Sequence, residues 1–193
     1  MRLFLSLLCF ASWFFILAQD GQSQIPDEYY RSLLDHEMED EFQKGIPVGE
    51  IFSDSTFITI NGDEFSFVDS NYVLTVVDFW FKGCRGCAQE KPYIKQIIEK
   101  YKEDSRVRFV AITPTSENGI EKVIKKYGNY YDDIISVGGF KNCEELFKFS
   151  LFPRHVLVGN DGKVIANYIT PIFHPITQDE YEKRILSFID NTD

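Results

Sequence analysis

Residues Asp78 to Pro92 read Asp-Phe-Trp-Phe-Lys-Gly-Cys84-Arg-Gly-Cys87-Ala-Gln-Glu90-Lys-Pro. The stretch leaves an apolar run, Val73-Leu-Thr-Val-Val77, and enters a segment in which Ile94, Ile97, Ile98 and Tyr101 recur at helical spacing. Cys84 and Cys87 therefore fall where a strand ends and a helix begins. Unpaired backbone N–H groups and the positive end of the helix dipole stabilise an anion there, and the anion on offer is the Cys84 thiolate. Arg85 adds a positive charge beside it. Thiols three positions apart in a first helical turn face each other and can close into a disulfide. A dithiol that ionises, attacks and then closes on itself is a redox couple, with Cys84 as nucleophile and Cys87 as resolving thiol. Two blander readings stand beside it, a static disulfide and half of a zinc site. Zinc would need two further ligands, and Cys143, His36, His155 and His174 do not sit at ligand spacing.

Outward from this stretch the chain alternates strands and helices. Thr56–Ile60 and Glu64–Val68 flank Asn61-Gly-Asp, a hairpin signal between alternating apolar residues. Val73–Phe79 has the continuous apolar character of a strand buried on both faces. Val107–Ile112 predicts a strand, and Ile120, Val123, Ile124 and Tyr127 predict a helix capped by Asn118 with Glu121. Ile134–Val137 reads as a short strand, and Asn142 with Glu145 as the cap of a short helix through Phe149. Arg154–Val158 and Lys163–Ile169 flank Asn160-Asp-Gly162 as a second hairpin. A last helix, capped by Thr177 with Glu180, places Tyr181, Ile185, Phe188 and Ile189 on one face. Together these give an α/β sandwich with a mixed central sheet and an N-terminal β-hairpin.

Three residues elsewhere bear on the chemistry. Asp78 interrupts an apolar strand, where a carboxylate is costly unless it is functional or hydrogen-bonded; the alternative is a sheet-edge residue reaching water. Glu90 either tunes the thiols or is an exposed helix acid. Pro153 precedes an apolar strand and is either a cis proline or an ordinary trans turn. Cys143, beside Leu146 and Phe147, reads as a small buried hydrophobe.

Val-Asp-Phe-Trp followed by Cys-x-x-Cys resembles thioredoxin, and Cys-x-x-Cys-x-x-Glu-x-Pro resembles its extracytoplasmic TlpA/ResA-type thiol–disulfide oxidoreductase relatives. The resemblance implies a thioredoxin-like α/β/α sandwich over residues 45–193. It assigns Asp78 to deprotonating the resolving cysteine, Glu90 and Pro92 to the Glu-x-Pro that follows the cysteines, and Pro153 to a cis proline facing the disulfide. Trp80 matches a packing residue beneath the site. The chain departs from the pattern at Arg85-Gly86, where thioredoxins carry Gly-Pro, and at Gly83, where a Trp usually stands; a looser, more open site is expected. The implied activity is reduction of protein disulfides, with a protein dithiol as electron donor, a disulfide-bearing client and no bound cofactor. Two alternatives remain, a thiol peroxidase and a non-catalytic binding module. Peroxidatic sites place a Thr three residues before the cysteine, which this stretch lacks.

The chain has 193 residues, 44% of them hydrophobic, with 18 Phe and 10 Tyr, enough for a substantial core. Its net charge of −10 lies mainly between residues 20 and 50, where nine acids face only Arg31 and Lys44. No basic face is expected that would displace phosphate counterions, so nucleic acid is excluded as a partner. Leu3 to Leu17 is free of charge behind Arg2, shorter than a membrane span and matched to a secretory leader. Residues 1–23 are accordingly read as a signal peptide, cleaved after Ala18 or Ser23 or retained as an anchor, with Cys9 a passenger. Residues 24–44 are read as an acidic lead. Export, to the periplasm in this reading, places the protein where disulfide chemistry has partners.

Overall fold

The computed structural model describes Pro26, Glu28 and residues 45–168 and 174–190. The leader and nearly all of the acidic lead lie outside the described residues. Among the described residues no helix is long and apolar enough to cross a membrane.

A two-stranded hairpin, β1 (Phe57–Ile58) and β2 (Glu64–Phe65), precedes a five-stranded sheet. Its strands are β3 (Leu74–Phe79), β4 (Val107–Thr113), β5 (Asp133–Ser136), β6 (Arg154–Gly159) and β7 (Val164–Tyr168). The helices are α1 (Arg85–Tyr101), α2 (Glu117–Tyr127), α3 (Phe140–Phe147) and α4 (Pro175–Asp190). Spatial order is β5-β4-β3-β6-β7, with β3, β4 and β5 parallel and β6 and β7 antiparallel to their neighbours. The apolar run places β3 at the centre, buried at every position.

Strand alternation splits the core into two halves. Leu74, Val76 and Trp80 face the helices α1 and α4, meeting Ile94, Ile97, Ile98, Tyr181 and Ile185. Val77 and Phe79 face the other way, toward Cys143 and Phe147 of α3 and toward Phe52, Phe65 and Phe67 around the hairpin. Burying each such aliphatic or aromatic side chain contributes about 1.5–3 kcal/mol. Arg108 ties the hairpin to the sheet. Its guanidinium reaches Asp69 at 3.3 Å, Ser66 O at 3.0 Å and Thr75 Oγ1 at 3.2 Å, and lies 4.2 Å from the Phe65 ring.

The helix starts differ from the sequence reading. Ser116 and Gly139 are the residues that precede α2 and α3, and neither makes a side-chain cap. Asn118 is already inside α2. Asn142 sits in the first turn of α3 and donates back to Val137 O at 2.8 Å. Thr177 lies within the first turn of α4 and its hydroxyl donates to His174 O at 2.9 Å. In each case a polar residue followed three later by Glu occurs just inside the helix, and the Asn142 and Thr177 side chains bond backward from there. The first hairpin is also shorter than its alternation implies, with only Phe57↔Phe65 and Ile58↔Glu64 paired. Thr59 Oγ1 takes the N–H groups of Asn61 and Asp63, so the turn begins one residue early.

Candidate active site

Cys84 is the N-cap of α1, extended at φ −64° and ψ 112°, and its Sγ accepts the N–H of Cys87 at 3.1 Å. The chain reaches this cap through Gly83, whose φ of +104° disfavours any residue with a Cβ. That explains a glycine where the thioredoxin pattern has tryptophan. Cys84 and Cys87 are joined in a disulfide with their Cα atoms 5.3 Å apart. Both sulfur-bearing residues are largely buried, Cys87 more deeply.

The Phe152–Pro153 peptide bond is cis. A Cβ placed on Gly86 would lie 3.0 Å from Pro153 Cδ. The proline ring thus occupies the space beside the Cys-Arg-Gly-Cys turn that the missing side chain leaves. Phe152 packs edge-on against Phe81 and Phe140, and Phe140 and Leu151 remain exposed beside it.

A buried polar cluster lies on the α1 face of the sheet. Asp78, on the central strand, is paired in register with His155 of β6. Glu90, one and a half turns into α1, points inward and is 1% exposed. His155, fully buried, stands between the two acids, with Nε2 3.2 Å from Glu90 and Nδ1 3.8 Å from Asp78. Tyr131 donates its hydroxyl to Asp78. Burial by itself would hold the imidazole neutral; Glu90, through charge and hydrogen bond, and Asp78, through charge, outweigh it and raise the His155 pKa above its ordinary 6.5. Burial, then Asp78, pushes the Tyr131 hydroxyl well up, so it stays a donor.

Asp78, Glu90 and His155 offer ligand atoms within 4.8 Å of one another, the one such set among the described residues. The imidazole presents a different ring nitrogen to each carboxylate. An imidazolium meets two acids in this way, one by hydrogen bond and one by charge, whereas a metal would gather both carboxylates and a single ring nitrogen around itself.

Beside the disulfide opens a cleft of about 270 Å³, lined by Trp80, Phe81, Cys84, Cys87, Val123 and Tyr127 and by four lysines. Lys91 is one of them, buried with its ammonium 4.5 Å from the Trp80 ring centre. Burial lowers its pKa against the pull of Asp78 and Glu90.

No protein-family model matches the chain. YneN, a thioredoxin-like protein of Bacillus subtilis, is 27% identical over 88 residues, 46% of this chain and 51% of that protein. The thiol–disulfide oxidoreductase ResA of Bacillus cereus is 28% identical over 95 residues, 48% of this chain and 53% of that protein. The thioredoxin domain of a thiol–disulfide oxidoreductase from Bacteroides vulgatus matches with a TM-score of 0.60 at 23% identity, covering 72% of this chain and 99% of that one. The chain has the thioredoxin fold. In sequence it resembles the ResA-type thiol–disulfide oxidoreductases, and it spans about half the length of the curated relatives it matches.

Within this thioredoxin fold Cys84, Cys87 and Pro153 surround the start of α1, and Asp78 and Glu90 share the cluster centred on His155. Asp78 is central in the sheet, not at an edge, and Glu90 is buried, not exposed. Cys143 lies apart, 1% exposed in the opposite half of the core, its thiol pushed up to about 12 by burial. Sequence reasoning missed His155 and Tyr131. His155 carried a signal, since a titratable residue in an apolar strand must find a partner, but the pairing of β6 with β3 that supplies Asp78 is not written in either strand alone.

Proposed function

We propose that this protein is an extracytoplasmic thiol–disulfide oxidoreductase in which Cys84 and Cys87 are the redox pair, acting as a reductase of protein disulfides. The observation that carries the proposal is the Cys84–Cys87 disulfide at the cap of α1, with Cys84 Sγ receiving a backbone N–H. After reduction that same N–H and the helix dipole favour a thiolate on Cys84. The thiolate attacks one sulfur of a client disulfide, forming a mixed disulfide and releasing the other client sulfur as a thiolate. Cys87 then loses its proton and attacks Cys84 Sγ, which frees the second client thiol and restores the Cys84–Cys87 disulfide. Two electrons pass to the client, and a protein dithiol returns them.

Asp78 is the acceptor for the Cys87 proton in this scheme. Tyr131 holds Asp78 in place through its hydroxyl, and His155 between Asp78 and Glu90 offsets their charge, so the buried acid does not face the ionising thiols alone. Pro153 shapes the surface on which the client strand lies, with the backbone of Phe152 offered to it. The uncharged run from Leu3 to Leu17 supports export through a leader at residues 1–23, with residues 24–44 as an acidic lead and 45–193 as the catalytic domain.

Insulin-disulfide reduction driven by dithiothreitol tests the reading. The protein should accelerate B-chain precipitation, and Cys84→Ser and Cys87→Ser should each abolish that acceleration. A wild-type protein that leaves the dithiothreitol rate unchanged would mark the pair as a static staple.

A further inference from the structure

The cleft beside the disulfide carries a charge opposite to that of the molecule. Its lining, taken from the described residues, holds Lys82, Lys91, Lys122 and Lys126 and no carboxylate, in a chain of net charge −10. Three separate elements place them there. Lys82 lies in the turn before Cys84, held by its N–H to Thr115 Oγ1 at 2.9 Å. Lys91 comes from α1, anchored over Trp80 and facing Tyr127 at 5.9 Å. Lys122 and Lys126 are one turn apart on α2, each followed by a residue, Val123 or Tyr127, that adds apolar lining.

Resting on the oxidoreductase reading, we propose that this cleft selects disulfides flanked by acidic residues, so that the client is a polypeptide carrying Asp or Glu next to its reactive cysteine. A cysteine brought to Cys84 Sγ sets its sequence neighbours directly into the cleft, because Cys84 and Cys87 form part of its wall. At about 270 Å³ the space is below that of an ordinary cofactor or drug-sized pocket, and suits a few side chains of an extended segment. Aromatic and aliphatic walls lower the local dielectric and concentrate the field of the lysines along the approach to the sulfur. The acids Asp78 and Glu90 that accompany Lys91 are buried behind the wall, so what the client meets is the cationic side. The same field opposes a basic client, which gives discrimination through both attraction and repulsion.

Three disulfide-linked peptide dimers of equal length test the inference, with the cysteine flanked by Glu and Asp, by Ser and Gly, or by Lys and Arg. The quantity measured is the second-order rate at which each oxidises the fully reduced protein, read by acid quench and mass of the Cys84–Cys87 pair. The acidic dimer should react about tenfold or more faster than the neutral one and the basic dimer slower still, with the spread collapsing in 0.5 M salt. The double variant Lys122→Glu, Lys126→Glu should invert the order of acidic and basic dimers. Equal rates for all three dimers with the wild-type protein, or an acidic preference that survives the charge reversal, would overturn the cleft's role while leaving the redox pair intact. A reduced protein that reacts with none of the three would overturn the oxidoreductase reading itself, and this inference with it.

Discussion

His155 is the residue on which the buried chemistry turns. Two carboxylates inside one core repel each other and lose their hydration, and either alone would be expensive to bury. An imidazolium between them hydrogen-bonds Glu90 and offsets the charge of Asp78, which takes its own hydrogen bond from Tyr131. The two acids raise the His155 pKa against the effect of burial. The folded value lies above the ordinary 6.5, so the stabilisation is fully present below about pH 6.5 and is lost as pH rises through the folded value. His155→Ala should therefore cost about 3–5 kcal/mol at pH 6 in urea denaturation, because it strands two buried acids. The gap between wild type and variant should narrow toward alkaline pH. A gap that stays constant from pH 5 to pH 9 would show that His155 is neutral throughout and only fills space. Asp78 could be singled out from its neighbours in sequence, since it breaks an apolar run, and Glu90 only through the Glu-x-Pro that follows the cysteines. Their shared partner could not, because it lies in register across β3 and β6 and nowhere near them along the chain.

At the scale of elements, the N-terminus of α1 and the interior of α3 treat cysteine in opposite ways. Cys84 caps a helix, where the backbone N–H of Cys87 points at its sulfur. Cys143 is enclosed among Phe147, Phe149 and Val156 on the far face of the sheet, where burial holds the thiol neutral up to about pH 12. Iodoacetamide applied to the reduced protein at pH 7 should modify Cys84 first, by a wide margin, and reach Cys143 only in denaturant. Peptide mapping that finds Cys143 or Cys87 labelled ahead of Cys84 would break the assignment of roles. The strand-to-helix junction was legible because an apolar run, an interrupting acid and a helical face follow one another between Val73 and Tyr101. Helix starts were less so. Asn118, Asn142 and Thr177 carry the right residue types three before Glu, but pattern alone does not distinguish a cap from a side chain already inside the first turn.

Over the whole molecule, the central strand and its neighbours were readable from their continuous apolar runs, and the helices from their spacing. Sheet order, the cleft and its four lysines emerge only when α1, α2 and the turn before Cys84 are brought together, since Lys82 and Lys126 are ordinary surface residues in their own segments. Net acidity and a cationic wall at the disulfide then coexist on one chain. All of this organisation converges on the claim that Cys84 attacks and Cys87 resolves. Its most direct measurement is covalent trapping by the single-cysteine variants, incubated reduced with an unfolded disulfide-bearing protein and read by intact mass and peptide mapping. Cys87→Ser should accumulate a mixed disulfide on Cys84, while Cys84→Ser accumulates none. Equal adducts on both variants, or no adduct on either, would contradict it.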